Sequence, residues 1–305
     1  MSNKKILVAG ATGYLGNKIV AELIKLKADV TAMVRASSDR TQLIDMGVKH
    51  FVVGDMMDKA SLTEAISPKH KFDAIVASAA GYTKRKKGDS PITDTIGYQN
   101  LVDATKAAGI PRFVVISILE SDKAQSVPHF YNKYLIEKYL EEKQQPFIAL
   151  RPGAFLDQVP DYMPKKIKKG IFPSFLTGTF GMVYTSELAK YAAMAAVVLP
   201  DTELNKPIDI GWDKPVNSEI LAQAFATVLN KQIKVKPIIP PFILKSLIPL
   251  IAIFNEGVKD MYEMIKWIDT GTYISKNPQR QKELFGELPT VEESVKHYCR
   301  DRGLL

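Results

Sequence analysis

Short apolar runs alternate with longer amphipathic ones through the first half of the chain, the pattern of β-α-β units around a parallel sheet. Ile6-Leu7-Val8-Ala9 is an uninterrupted apolar run of the kind a strand covered on both faces requires. Over residues 17–27, Ile19, Val20, Leu23 and Ile24 recur at helical spacing and predict a helix with one buried face. Residues 30–34 and 48–53 read as the second and third strands, followed by 74–77, 112–116 and 147–150. Crossover helices are expected over 95–108 and 130–142, with a shorter one around 61–66.

After Arg151-Pro152-Gly153 the rhythm gives way to irregular, Pro-rich segments, which marks a domain boundary. A helix is expected over 187–198, a short strand over 207–210, and a helix over 217–229 capped by Asn217 or Ser218. Thr290, followed three residues later by Glu293, forms a capping box that opens a last helix. The expected fold class is α/β: a doubly wound parallel (Rossmann) sheet with a smaller, mostly helical C-terminal substrate domain. Residues 1–154 with about 181–212 would form the first domain, and about 155–180 with 213–305 the second.

Gly10-Ala11-Thr12-Gly13-Tyr14-Leu15-Gly16 stands directly between the first strand and the first helix. Glycines at these points permit a tight turn, let backbone N–H groups approach a pyrophosphate, and allow the helix to pack closely on the sheet. The helix N-terminus then offers N–H groups and a partial positive charge to the anion. The spacing points to a dinucleotide site that includes Gly10, Thr12, Gly13, Tyr14, Leu15 and Gly16.

The end of the second strand separates the two nicotinamide dinucleotides, because an acidic side chain there bonds ribose hydroxyls and repels a 2′-phosphate. Here Arg35 stands in that place, followed by Ser37 and Ser38. A guanidinium fork and small hydroxyls suit a phosphate, so NADP(H) is the expected cofactor and NAD(H) the alternative. Asp55 and Met56 after the third strand, and Ser78, Ala79 and Ala80 after the fourth, would border the cofactor at the carboxyl ends of the strands.

Composition changes this picture little. Hydrophobic residues at 46% and charged residues at 24% are ordinary for a globular chain. The net charge of +8 is concentrated in Lys84-Arg85-Lys86-Lys87 and in Lys165-Lys166 with Lys168-Lys169. Neither run has interleaved aromatics, so both read as solvated loops and no nucleic-acid partner is expected. The single cysteine, Cys299, excludes an intramolecular disulfide and fits a reducing, cytoplasmic setting. The apolar stretch behind the basic start is too short for a signal peptide. Residues 238–254 are the most apolar, yet they carry Lys245 and are cut by Pro240, Pro241 and Pro249. That pattern predicts a buried or groove-lining helix rather than a membrane span, with membrane-surface contact as a minor alternative.

With these motifs placed, the chain resembles the NmrA-like, atypical members of the short-chain dehydrogenase/reductase superfamily. The resemblance rests on the glycine motif, Arg35, Gly54-Asp55, Asn100-Leu101-Val102-Asp103-Ala104, Val115-Ile116-Ser117, Lys133 with Glu137, Leu150-Arg151-Pro152-Gly153, Tyr184 to Ala189 and Leu284 to Thr290. It implies NAD(P) binding and reductase or redox-sensing activity. The superfamily pairs a Tyr with a Lys four residues later. Tyr134 and Lys138 match that spacing literally, but Lys133 has the expected intervals to Glu137 and Arg151, which puts His129 in the phenol position. Lys133 is therefore expected at the cofactor, or else in a surface pair with Glu137. Proton transfer would fall to Tyr131, Tyr82 or His129, or the lysine would act alone, or no catalysis would occur. Ser117 would hydrogen-bond a substrate oxygen or merely end its strand. Pro152, Gly153 and Phe155 would pass the nicotinamide. An apolar pocket closed by 160–175 and 238–267 would take a small-molecule substrate. The expected function is an NADPH-dependent oxidoreductase acting on a small uncharged carbonyl, quinone or enone. The alternatives are a non-catalytic NADP(H)-sensing regulator with a protein partner and, further off, a sugar-nucleotide epimerase.

Overall fold

The computed structural model describes residues 4–81, 91–174 and 176–305. The chain forms two compact units, one of residues 1–121, 129–151 and 186–208, the other of 122–128, 152–185 and 209–305. In chain order the elements begin β1 (Lys5–Ala9), α1 (Tyr14–Lys25), β2 (Asp29–Val34), α2 (Thr41–Asp45), β3 (His50–Val53), α3 (Lys59–Ala65), β4 (Ala74–Ala77), α4 (Ile96–Ala107), β5 (Phe113–Ile116), α5 (Pro128–Glu142) and β6 (Phe147–Pro152). They continue with β7 (Ala154–Phe155), α6 (Tyr162–Lys168), β8 (Ile171–Ser174), β9 (Met182–Val183), α7 (Thr185–Val197), β10 (Ile208–Ile210), α8 (Ser218–Leu229) and β11 (Lys234–Pro237). The last are α9 (Pro241–Ser246), α10 (Ile248–Ala252), α11 (Glu256–Asp269), α12 (Pro278–Phe285) and α13 (Val291–Asp301).

The central sheet has seven strands in the order β10-β6-β5-β4-β1-β2-β3. Leu7 of β1 lies opposite Thr31 of β2 on one side and Ile75 of β4 on the other, both in parallel. Parallel strands covered by helices on both faces bury their inner side chains, and Ile6, Leu7, Val8, Ala9, Ile75, Val76 and Val115 are all fully buried. Because the chain leaves β1 for β2 on one side and later returns to β4 on the other, the crossovers diverge between β1 and β4. That switch point opens a crevice at the strands' carboxyl ends, where ligands of open α/β sheets bind.

The predicted strands and long helices appear, with shifted ends. α1 starts at Tyr14 rather than residue 17, because the glycine turn itself delivers the chain into helical conformation. α2 was not predicted, being five residues with a single buried side chain, Leu43. Asn217 caps α8 by accepting from the Ile220 N–H at 2.9 Å. The box at α13 forms as expected, with Thr290 Oγ1 accepting from the Glu293 N–H and Glu293 Oε2 accepting from the Thr290 N–H.

In the second unit, β8 pairs with β11 and β7 with β9, each in parallel. Of the apolar stretch 238–267, Ile265 and Trp267 are buried, and Trp267 packs on Tyr273 with ring centroids 5.2 Å apart. Phe242, Leu247, Leu250, Ile253 and Phe254 are instead exposed. In place of the one buried or groove-lining helix expected there are two short helices, interrupted where prolines remove the N–H groups that a continuous helix needs.

Candidate functional site

Gly10 ends β1 in a left-handed conformation, φ +86°, which glycine adopts without strain. A Cβ there would meet the Ala79 backbone nitrogen at 2.6 Å, so the loop after β1 lies directly against the loop after β4. The turn closes when Gly13 N–H donates to the Gly10 carbonyl at 2.9 Å. At Gly16, in the first turn of α1, a Cβ would stand 2.0 Å from that same carbonyl oxygen. Asn17 fixes the loop from below, its amide donating to the carbonyls of Ala11 at 2.8 Å and Gly13 at 3.1 Å. Gly13 caps α1 without a side-chain hydrogen bond, and no acidic residue lies in the first turn. The mouth of the helix thus keeps its positive end uncompensated by any carboxylate of its own, which suits an anion. Leu15 is buried and Tyr14 is exposed, with Lys18 Nζ 5.1 Å from the Tyr14 ring centre.

Arg35 follows β2 directly and is half-buried, while Ser37 is exposed. Ser38 N–H donates to the Arg35 carbonyl at 3.0 Å, which turns the loop back toward α2. The same loop carries Arg40, whose guanidinium lies 5.5 Å from the Phe51 ring centre. The sequence reading had not singled out this second cation. Asp55 is exposed after β3, and its carboxylate accepts from the Met57 N–H at 2.9 Å. Met56 departs from expectation. Its side chain packs in the core and its carbonyl accepts from Asn100 at 2.9 Å, because the turn at Asp55 points the next side chain inward.

After β4, Ser78 N–H donates to the Ala9 carbonyl at 3.0 Å, and Ala79 offers its carbonyl to the Tyr98 hydroxyl at 2.7 Å. Ala80 is exposed. Tyr98 is fully buried, and burial holds its phenol above the ordinary value. The Lys133 ammonium lies 4.7 Å from the Tyr98 ring centre and donates to Asp94 Oδ1 at 2.7 Å. The other Asp94 oxygen accepts from the Gly81 N–H at 2.8 Å. Gly10, Ala79, Tyr98, Lys133, Asp94 and Gly81 are therefore one connected set, with the end of β4 touched on one side by the glycine loop and on the other by the lysine cluster.

The pairing of Lys133 corrects one alternative. Lys133 and Glu137 do not join each other at helical spacing. Glu137 binds Arg151 through two hydrogen bonds, at 3.0 Å to Nε and 2.5 Å to Nη2, and takes the Ser117 hydroxyl as well. Ser117 is thus committed inward and does not reach out to a substrate oxygen. Burial alone would lower the Lys133 ammonium, but Tyr98 and Asp94 more than compensate and hold it above the ordinary lysine value. Its ammonium is held in place by Asp94. Neither Asp94 nor Tyr98 was found from the sequence. Only folding shows that Asp94 faces Lys133 from the 3₁₀ turn Pro91–Asp94.

His129 is half-buried, its ring edge-on to Phe130 with centroids 4.5 Å apart. Tyr131 is half-buried and tilted against Tyr134 at 5.6 Å. Lys138 is exposed and paired with Glu141 at 2.5 Å, so the literal Tyr134–Lys138 spacing lies on a solvated face. Tyr82 and the run 84–87 lie outside the described residues. Pro152, Gly153 and Phe155 belong to the second unit. There Gly153 N–H donates to the Ile210 carbonyl at 3.0 Å, and a Cβ on Gly153 would stand 2.3 Å from the Gly181 oxygen; Phe155 is half-buried. Among the described residues no cluster of metal-ligating side chains occurs, and no helix is long and apolar enough to cross a membrane.

A crevice of this construction, on a sheet of this order, marks a dinucleotide-binding type of protein. The NmrA-like family model matches residues 2–295, and the chain belongs to that family. It is similar to the photosystem II assembly factor Ycf39 of Guillardia theta, 27% identical over 223 residues that make up 72% of this chain and 68% of that protein. The fold is also that of Citrobacter sp. triphenylmethane reductase complexed with NADP(H), with TM-score 0.77, 22% identity, and coverage of 96% of this chain and 99% of that one. It is likewise that of the NADPH-dependent quinone oxidoreductase QOR2 of Escherichia coli complexed with NADPH, with TM-score 0.75, 19% identity, and coverage of 96% and 99%.

Proposed function

We propose that the chain binds NADP(H) in the crevice between β1 and β4 and reduces a small uncharged carbonyl, quinone or enone. The observation that carries this reading is the continuity of the glycine loop with the buried Lys133–Asp94–Tyr98 cluster through the end of β4. The glycine loop and the start of α1 suit a pyrophosphate, since Gly10 and Gly16 allow a turn so tight that a Cβ at either would strike backbone, and the first turn of the helix carries no acidic side chain. Arg35, with Arg40 in the same loop, supplies guanidinium groups for a 2′-phosphate. When bound, NADPH supplies the hydride.

The chain's own contribution is orientation and charge. Lys133 presents ammonium protons to ribose hydroxyls from a position that Asp94 fixes, and it stays protonated because Tyr98 and Asp94 favour the charged form. Glu137, held by Arg151 and Ser117, locks the next turn of α5, so the helix carrying Lys133 cannot rotate freely. The proton that follows hydride comes from His129 or Tyr131, both half-buried on the same helix. The fold similarity to two reductases supports this reading.

A second reading has a specific observation behind it. The position four residues before Lys133 is His129 rather than Tyr, and the curated relatives include an assembly factor. In that reading the chain senses NADP(H) and turns nothing over. Oxidation of NADPH by a panel of quinones and aldehydes separates the two, run on the wild type and on Lys133→Ala, His129→Ala and Tyr131→Phe. Turnover lost in Lys133→Ala, with NADPH affinity lowered roughly ten- to a hundred-fold, supports the reductase. Tight cofactor binding without turnover on any acceptor refutes it.

A further inference from the structure

Residues 162–174 and 231–255 contain eight lysines and not one Asp, Glu or Arg, while the whole chain carries a net charge of +8. The rest of the chain is therefore electrically balanced. These two stretches are one piece of structure. β8 and β11 pair in parallel, with Lys234 opposite Ile171 and Lys236 opposite Pro173, and Lys231 Nζ donates to the Lys168 carbonyl. Lys234 and Lys236 are two apart on a strand, so they share one side, and both are exposed.

From β11 the chain runs through Pro240 into α9 and α10. There Phe242 is 70% exposed, Ile253 71% and Phe254 90%, with Leu247, Leu250 and Ile251 also exposed. Large apolar side chains grouped this way on a water-facing surface indicate a partner. The helices are six and five residues long and interrupted by proline, too short to span a bilayer.

The charge decides which partner. Two copies docked through these stretches would set exposed lysines, Lys168, Lys169, Lys234 and Lys236 among them, against their own kind, which disfavours self-association. All the basic groups are lysine, a point charge on a flexible stem, and the planar fork that reads a defined carboxylate is missing from both stretches. Such groups suit a diffuse field of phosphates beside hydrocarbon. We propose that this face docks on an anionic lipid bilayer, the α9–α10 side chains entering the headgroup boundary while the lysines lie against lipid phosphates.

Sedimentation of the full chain with vesicles tests this, using phosphatidylcholine alone and phosphatidylcholine with about one third phosphatidylglycerol. Binding is expected only to the anionic vesicles and is expected to fall as salt is added. Lys168→Gln with Lys169→Gln should weaken partitioning roughly thirty-fold, at about a fivefold loss per lysine. Phe242→Ser with Phe254→Ser should weaken it tenfold or more. Both variants alter exposed positions, and unchanged melting midpoints will show that they fold. Equal binding to both vesicle types, no binding to either, or phenylalanine variants that bind as well as the wild type would overturn the proposal. So would a wild-type dimer in analytical ultracentrifugation that Phe242→Ser with Phe254→Ser converts to monomer.

Discussion

Removing the carboxylate of Asp94 should destabilise the first unit more than any surface change. The Lys133 side chain is 10% exposed and that of Asp94 2%. Breaking a buried pair by deleting one partner costs about 3–5 kcal/mol, because the remaining charge stays out of water. Asp94→Ala also strips the Gly81 N–H of its acceptor, which adds to the cost. For a unit of this size each kcal/mol lowers the melting midpoint by about 2–4 °C, so a fall of roughly 6–20 °C is expected by circular dichroism or calorimetry.

The pH dependence carries the sign. In the wild type, Lys133 has a folded value raised above its unfolded one. Its contribution is fully present below the ordinary lysine range and is lost only as pH rises through the higher folded value. Wild-type stability should therefore be insensitive to Lys133 between about pH 6 and 9. In Asp94→Asn one of the two groups that oppose the effect of burial is lost, so the folded value of Lys133 should fall relative to the wild type. Relative to the wild type, that variant should gain stability as pH rises toward the lysine range. Replacing both partners, Asp94→Leu with Lys133→Met, should recover much of the loss, since an apolar pair of similar volume removes the buried charge altogether. A midpoint change in Asp94→Ala under about 2 °C, or a double variant no better than the single, would refute the buried-pair argument.

Gly16→Ala should abolish cofactor binding and lower expression of folded protein, because its Cβ would stand 2.0 Å from the Gly10 oxygen and the turn must open; a cofactor titration reads this directly. Arg35→Asp should weaken NADPH roughly ten- to a hundred-fold while changing NADH far less, as measured by cofactor fluorescence; equal losses would remove the 2′-phosphate argument. Thr290→Ala should cost about 1 kcal/mol by thermal or urea unfolding, since it removes one half of a capping box whose Glu293 carboxyl is itself held below the ordinary value by the Thr290 N–H and hydroxyl.

Local rules sufficed for much of the first unit. The run Ile6 to Ala9 followed at once by Gly10, Gly13 and Gly16 leaves few alternatives, since the strand must be buried and the glycines permit one kind of turn into one helix. Arg35 was legible for the same reason, its place being fixed by the strand before it. The capping box at Thr290 is a four-residue signal that needs no other part of the chain. Helix α1 began three residues earlier than periodicity suggested, because apolar spacing reports the buried face and not the first turn, which lies over the crevice. Lys133 was legible as a candidate from its spacing along one helix, but its partner was not. Asp94 lies 39 residues away, and sequence spacing carries no information about which carboxylate a crossover will bring to a buried ammonium. The same holds for Ser117, 20 residues from the Glu137 that takes its hydroxyl. The apolar stretch 238–254 reads as a buried or groove-lining helix, yet its largest side chains face water. Hydrophobicity states what a side chain gains by leaving water. Where it can leave to is decided by the rest of the fold, which packs Trp267 against Tyr273 and leaves Phe242 and Phe254 outside.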